Sequence, residues 1–291
     1  MREQKIIMVN DTEAINNIYR EKLLKILRSK FKNVSSMGLF GDRFISKVKF
    51  MLLAIFSNIF VISSNLRSNV FSLGFFWTRG VVILNGMGRF RKSKTLRILL
   101  IALFNINYRK SFLIQSYADY RYFNRYSNKN FYWVPGSGGV CKKIGSCQSL
   151  LSVQRNDKLN LTGASLLEFS NYIEQKVNIV GCTNESTKNF SNFNFIGRVE
   201  SKNIFLSGGV FLQPKGYGEG FPHTLADAIV SKMKIYISSS EYVRYGLHKL
   251  GGRRDVIFKG WFLLKNTNLV AQEVNEEKIV NVYLELISKN I

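Results

Sequence analysis

The stretch from Val210 to Ser240, VFLQPKGYGEGFPHTLADAIVSKMKIYISSS, constrains the fold more than any other part of the chain. A short apolar run, Val210-Phe211-Leu212, is closed by Pro214 and a glycine-bearing turn. A helical pattern then starts at Pro222 and ends near Lys232. Proline suits the first turn, where its missing N–H would have had no partner. Leu225, Ala228 and Ile229 recur at helical spacing, while Thr224, Asp227 and Ser231 fall on another face. A second apolar run, Ile235-Tyr236-Ile237, follows at once. Strand, helix and strand in this order predict a βαβ unit, and in such sheets ligands bind beyond the carboxyl ends of the strands.

The loop at that end holds Glu219 and Gly220. The helix start behind it presents backbone N–H groups and a partial positive charge to an anion such as phosphate. Asp227 lies eight residues after Glu219, so two carboxylates flank one anion-accepting pocket, one able to serve a sugar and the other a ribose. On spacing alone, a capped surface helix with two solvated acids fits equally well.

The remaining chain supplies further strands and helices in alternation. Lys5 to Val9 reads as the first strand, and Asp11 or Thr12 caps a helix running to about Phe31 with a cationic outer face. Phe50 to Ile62, the most apolar stretch, spans 13 residues and reads as a helix end running into a buried strand, with a dip into a bilayer surface as the alternative; a bilayer span would need about 20 residues. Val81 to Leu84 is a buried strand, followed by Asn85-Gly86-Met87-Gly88 and then Arg89, Arg91 and Lys92. Those glycines let backbone approach a ligand, and those cations suit a diphosphate or a lipid headgroup; a tight turn with solvated charges is the competing reading. A helix is expected over 95–104, a strand from Ser111 to Gln115 and an aromatic helix from Tyr117 to Tyr126, with a domain boundary near 135. Beyond it, strands at Leu150 to Gln154 and Val177 to Val180 bracket a helix from about Gly163 to Gln175. A helical stretch from Glu241 to Leu250, a strand at Val256 to Phe258 and an amphipathic helix from Glu273 to Ile287 complete the pattern.

Charge narrows the partners. The 291-residue chain is long enough for two cored domains and carries a net charge of +23. Residues 1–135 hold 23 Lys or Arg against 6 Asp or Glu, and the remainder 19 against 13. Such a field attracts nucleic acid or anionic lipid. No basic zipper, zinc finger or RNA-binding sheet motif is present, so an anionic membrane surface is the expected partner and nucleic acid is not, although a basic nucleic-acid binder is a class that charge alone leaves open. Met1-Arg2-Glu3-Gln4-Lys5 leads straight into a strand pattern with no cleavable apolar region, which makes a cytoplasmic, peripheral location at the inner face of the membrane the expectation. Cys141, Cys147 and Cys182 are expected to be small buried thiols. The six aspartates never form D-x-D and the two histidines, His223 and His248, lie far apart in sequence, so no metal and no cofactor are expected.

Five stretches in fixed order carry a resemblance: Val134-Pro135-Gly136-Ser137-Gly138, Ser152-Val153-Gln154-Arg155, Val177 to Gly181, Asn194 to Gly197, and Glu219-Gly220-Phe221-Pro222 leading to Leu225-Ala226-Asp227-Ala228. Together they resemble the retaining nucleotide-sugar glycosyltransferases of group 1, with their E-x7-E signature. The likeness covers residues 134–250 well and the first 130 loosely. It implies an α/β GT-B fold, two Rossmann-like domains facing across a cleft. Residues 1–135 would bind the acceptor, 136–275 the nucleotide sugar, and 276–291 would form a helix returning to the first domain.

By the same resemblance, Glu219 is the catalytic residue, holding donor-sugar hydroxyls and steadying the cationic transition state. Asp227, in place of a second Glu, binds the ribose; Arg155 and Lys158, with the backbone at Gly220, Phe221 and Pro222, hold the diphosphate. Asn85 stands where relatives carry a histidine, and with Gly86, Gly88, Arg89, Arg91 and Lys92 it faces the acceptor or membrane. The implied reaction transfers a sugar, with retention, from a nucleotide-diphosphate sugar to a lipid-linked saccharide acceptor in bacterial O-antigen, lipopolysaccharide or capsule synthesis. Two departures stand out: Asn10-Asp11-Thr12-Glu13 replaces a glycine-rich loop, and Lys158 comes closer to Arg155 than the family lysine does. They keep open the alternative of a degenerate GT-B protein that binds without turnover.

Overall fold

The computed structural model describes residues 5–41, 44–142, 150–183, 192–200, 204, 209–216 and 219–291. The chain divides into two compact units, the first made of Met1–Ser137, Gly218–Phe221 and Ile279–Ile291, the second of Gly138–Tyr217 and Pro222–Lys278.

In the first unit, strands β1 (Lys5–Asn10), β2 (Val34–Gly38), β3 (Ile59–Ser64), β4 (Arg79–Leu84), β5 (Lys110–Ile114) and β6 (Phe131–Trp133) form one sheet in the order β2-β1-β3-β4-β5-β6. Every neighbouring pair is parallel. Helices α1 (Glu13–Tyr19), α2 (Glu21–Lys30), α3 (Phe44–Phe56), α4 (Leu66–Leu73), α5 (Lys94–Ile106) and α6 (Tyr117–Tyr126) make the connections. The central strands β3 and β4 are buried on both faces, which is why their sequences read as unbroken apolar runs with no alternation. Ile6, Met8, Phe60 and Ile62 pack with Leu23, Leu24 and Leu27 of α2, while Ile7, Val9, Ile59 and Val61 pack with Phe50 and Ala54 of α3. The order reverses direction between β1 and β3, and sheets of this kind bind ligands at the carboxyl edge of such a switch point.

The second unit contains β7 (Leu150–Val153), α7 (Asn156–Ile173), β8 (Val177–Val180), β9 (Phe193–Gly197), β10 (Val210–Gln213), α8 (His223–Val230), β11 (Lys234–Ser238), α9 (Ser239–Arg244), β12 (Arg253–Phe258), β13 (Trp261–Lys265) and α10 (Thr267–Val274). Its sheet runs β12-β13-β11-β10-β7-β8-β9, parallel from β11 to β9, with β13 antiparallel to both β11 and β12. Its switch point lies between β7 and β10. The last helix, α11 (Glu276–Asn290), packs Ile279, Tyr283, Leu286 and Ile287 into the core of the first unit beside Ile6, Leu23 and Phe60.

The α/β class with two Rossmann-like sheets agrees with the sequence reading, and several details correct it. The helix expected from residue 12 to 31 breaks at Arg20 (φ −133°, ψ 13°), whose buried guanidinium sits 4.8 Å over the Tyr283 ring. Neither expected cap forms there: Thr12 makes no side-chain cap bond, and Asp11 instead accepts from the amide and hydroxyl of Ser68. Helix α7 starts at Asn156, not Gly163, which is buried within the helix where a small residue packs. The amphipathic stretch from Glu273 is two helices broken at Asn275, which has extended backbone. Cys141 is exposed rather than buried, Cys182 is buried, and Cys147 lies outside the described residues.

Candidate functional site

The βαβ element opens the site. Strands β10 and β11 pair in parallel from Val210↔Lys234 to Gln213↔Ile237, and α8 crosses between them. Pro222 occupies the N-cap position with extended backbone (φ −67°, ψ 134°), so the helix begins one residue later, at His223. The Ala226 amide donates to the Pro222 carbonyl at 3.1 Å. The helix itself therefore leaves the preceding N–H groups to other partners, and these lie at the carboxyl edge of the sheet.

Asp227 is buried inside α8, and its carboxylate is shared within the second unit. One oxygen accepts from the Val140 amide at 2.8 Å, the other pairs with the Lys142 ammonium at 2.6 Å, and His223 Nε2 lies 3.7 Å away. The Lys142 amide donates to Ser231 Oγ at 2.8 Å, which zips the segment 139–142 along α8. A Cβ at Gly139 would stand 2.4 Å from the Ala226 backbone, so only glycine permits this approach. A ribose hydroxyl reaching Asp227 would use the second lone pair of an oxygen already engaged by protein.

The switch point between β7 and β10 gathers the cations. Arg155 leaves β7 as the N-cap of the 18-residue α7; its guanidinium is exposed and lies 3.3 Å from Asp157. Lys158 stands one turn further on and is half-buried, with its ammonium pKa lowered to about 8, chiefly by burial, then by the neighbouring Arg155 charge, against an opposing pull from Asp157. Two long-side-chain cations and the start of a long helix thus stand at the switch point beside the end of β10. On the other side of β10, Gly216 lies near the Tyr245 hydroxyl and the buried carboxylate of Glu241, distances of 3.5 and 3.8 Å measured from the position a Cβ would take. Glu241 and Lys142 escaped the sequence reading. Glu241 follows the Ser238-Ser239-Ser240 run that ends β11, a visible signal that a strand terminates at the ligand edge; Lys142 has no local signal.

The loop residues Glu219, Gly220 and Phe221 belong to the first unit. Glu219 is half-buried, and Gly220 and Phe221 are buried. A Cβ on Gly220 would fall 1.7 Å from the Asn85 carbonyl oxygen and 3.0 Å from Gln115 Cβ, so the loop can rest here only because residue 220 lacks a side chain. Gln115 in turn donates to the Tyr283 hydroxyl at 2.9 Å, and that hydroxyl donates to the Gly136 carbonyl at 3.0 Å.

Asn85 ends a ladder of amides across the carboxyl edge. Its Nδ2 donates to Asn65 at 2.7 Å, Asn65 donates to Asn10 at 2.6 Å, and Asn10 donates to Asn16 at 3.0 Å and to Ser64 at 2.8 Å. Arg20 donates to Asn85 Oδ1 at 3.3 Å. Asn65 holds φ at +69°, a conformation costly for a side-chain-bearing residue, at the switch point itself. Gly86 and Gly88 follow with φ of 139° and 54°, and the chain enters a 3₁₀ turn over Gly88–Lys92 in which Arg91 is half-buried and Lys92 exposed. The Arg89 side chain lies outside the described residues.

The sequence-assigned residues therefore fall into two groups. Arg155, Lys158, Pro222 and Asp227 belong to the second unit, and Glu219, Gly220, Phe221, Asn85, Gly86, Gly88, Arg91 and Lys92 to the first. Among the described residues no three His, Cys, Asp or Glu side chains converge as a metal site would need.

No protein-family model and no curated protein matches the chain. Among solved structures, one provisionally described as a UDP-N-acetylglucosamine 2-epimerase of Listeria monocytogenes aligns over 98% of this chain and 88% of that one, at 9% identity and a TM-score of 0.49.

Proposed function

We propose that the protein is a retaining glycosyltransferase that moves a sugar from a nucleotide-diphosphate donor to a lipid-linked saccharide acceptor in bacterial surface-polysaccharide synthesis. The observation that carries this reading is the switch point between β7 and β10, where Arg155, Lys158 and two helix N-termini stand at the edge at which parallel sheets bind ligands. The leaving group of such a transfer is a nucleoside diphosphate, and fixed cations and backbone dipoles stabilise the charge that develops on it. Arg155 offers a planar fork to the phosphates and Lys158 a second charge. Glu219 holds donor-sugar hydroxyls and the developing positive charge at the reacting carbon; the acceptor attacks from the side that the diphosphate leaves, so no protein nucleophile takes part. Asp227 binds the ribose while anchoring Lys142.

The test is incubation with a set of nucleotide sugars and a bacterial lipid extract, followed by mass spectrometry and anomeric assignment. A new glycolipid with the donor's anomeric configuration, absent with Glu219→Ala, supports the reading; an inverted linkage overturns retention, and no product with any donor overturns transfer. One observation favours a second reading, a binding protein without turnover: both Asp227 oxygens already have protein partners. Donor binding without product in the same assay would select it.

A further inference from the structure

Helix α3 and the amino edge of the first sheet carry features that the transferase reading does not use; the helix runs from the turn at 39–41, beside the carboxyl end of β1, down to that edge, where β3 begins. Helix α3 has the sequence FISKVKFMLLAIF, yet it buries only Phe50 and Ala54. Phe44, Ile45, Leu52, Ile55 and Phe56 are 77, 64, 51, 55 and 69% exposed, and their spacing sets them along one side of the helix as an apolar stripe, the kind of patch that marks an interaction surface. The stripe continues into the exposed rings of Phe76 and Trp77, since the Trp77 indole N–H donates to the Ala54 carbonyl at 2.9 Å and the two rings stand 5.1 Å apart.

Beside it lies a pocket of about 640 Å³ lined by Arg79, Arg109, Lys110 and Lys289 with no acid among its walls. Arg79 and Lys110 begin β4 and β5, and Asn58, another wall residue, comes two positions after α3 ends. Arg109 donates to the Trp77 carbonyl at 3.2 Å, which ties the pocket to the apolar stripe. Lys289 is paired at 2.6 Å with Glu285 on α11, outside the pocket. Burial lowers the Lys110 ammonium to a pKa of about 7, so the two arginines supply the lasting charge at neutral pH.

We propose that this edge is a membrane-docking surface, with the α3 stripe lying in the interfacial layer of an anionic leaflet while Arg79 and Arg109 hold the phosphate groups of its lipids. Charge complementarity selects this occupant: half of the chain with 23 cations against 6 acids presents its apolar stripe next to an acid-free pocket. Lys47 and Lys49 flank the stripe on α3, and an exposed Trp suits the boundary between headgroup and acyl chain. Among the described residues no helix is long and apolar enough to cross a membrane, so α3 would lie in the interface rather than span it. This rests on the lipid-linked acceptor reading only in making a membrane the partner; it adds a contact surface distinct from the segment 85–92 that the resemblance turns toward the acceptor or membrane, and its observations do not depend on transfer.

The experiment is co-sedimentation of the full chain with phosphatidylcholine vesicles, with and without phosphatidylglycerol. Wild type should sediment only with the anionic vesicles. Leu52→Glu/Phe56→Glu should weaken binding about tenfold or more, because each change sets a charge on the inserted face. Arg79→Gln/Arg109→Gln should remove the dependence on phosphatidylglycerol. Melting curves verify folding, and an unchanged melting shift with nucleotide sugar in both variants separates this surface from the donor site. Unaltered sedimentation of both variants overturns the proposal, as does a wild type that ignores vesicles and instead forms a dimer that Leu52→Glu/Phe56→Glu dissolves.

Discussion

Glu219 and Lys158 are the residues whose chemistry is most exposed to test. Glu219→Ala should lower transfer by about a hundredfold or more, since it removes charge stabilisation from the transition state, and it should leave the melting temperature near wild type because the side chain is only half-buried. Near-normal turnover in this variant would remove Glu219 from the mechanism. Lys158 has a pKa of about 8, lowered first by burial. Its charged form, the one that attracts diphosphate, is fully present below that value and is lost as pH rises through it. Donor affinity should therefore fall as pH increases past about 8, and titration calorimetry on Lys158→Met should show a flatter profile. An identical pH profile in wild type and variant would show that Lys158 stays away from the phosphates. Glu219 stands out in sequence through its loop position ahead of a helix and its eight-residue spacing from Asp227; its role belongs to the proposal that the Glu219→Ala variant tests. The engagement of Asp227 was not legible there, because Lys142 lies 85 positions away in the chain and only folding brings the two together.

At the scale of elements, the segment along α8 depends on one buried ion pair. Lys142→Met would leave the Asp227 carboxylate buried with its ammonium partner removed, which should cost about 3–5 kcal/mol. The double variant Lys142→Met/Asp227→Asn should recover much of that loss, and denaturant melts of the cycle measure both terms. A single variant as stable as wild type would mean that Asp227 draws little from Lys142 and is open to a ligand. Lys110, which begins β5, has a folded pKa of about 7 against an ordinary 10.5, so the unfolded chain binds more protons between those values. Stability should rise with pH across that window, by up to about 1.4 kcal/mol per pH unit, and Lys110→Met should remove that share of the slope. Equal slopes in the two proteins would contradict the burial of a neutral amine. The sequence marked most strands because runs such as VVIL are apolar throughout. It concealed β2, whose VSSMG is too polar and half-buried to stand out, and it joined α1 to α2 because the break at Arg20 is a tertiary effect of stacking on Tyr283.

For the whole molecule, one parallel and one mostly parallel sheet, each with its switch point, account for where chemistry can occur. Connection order, not local propensity, puts Arg155 and the end of β10 beside each other in the second unit, and the amide ladder at the β1/β3 edge of the first. The alternation of strands and helices made the class readable from sequence, whereas strand order, which decides the switch points, is carried by contacts distant in the chain. The central claim is that the carboxyl edge at the β7/β10 switch point holds a nucleoside diphosphate. The most direct measurement is the melting temperature of the protein with UDP-, GDP-, dTDP- and CMP-sugars, since a ligand bound only by the folded state raises it. The account predicts a rise with one nucleotide-diphosphate class that is lost in Arg155→Ala; a rise that survives in that variant, or none with any donor, would contradict it.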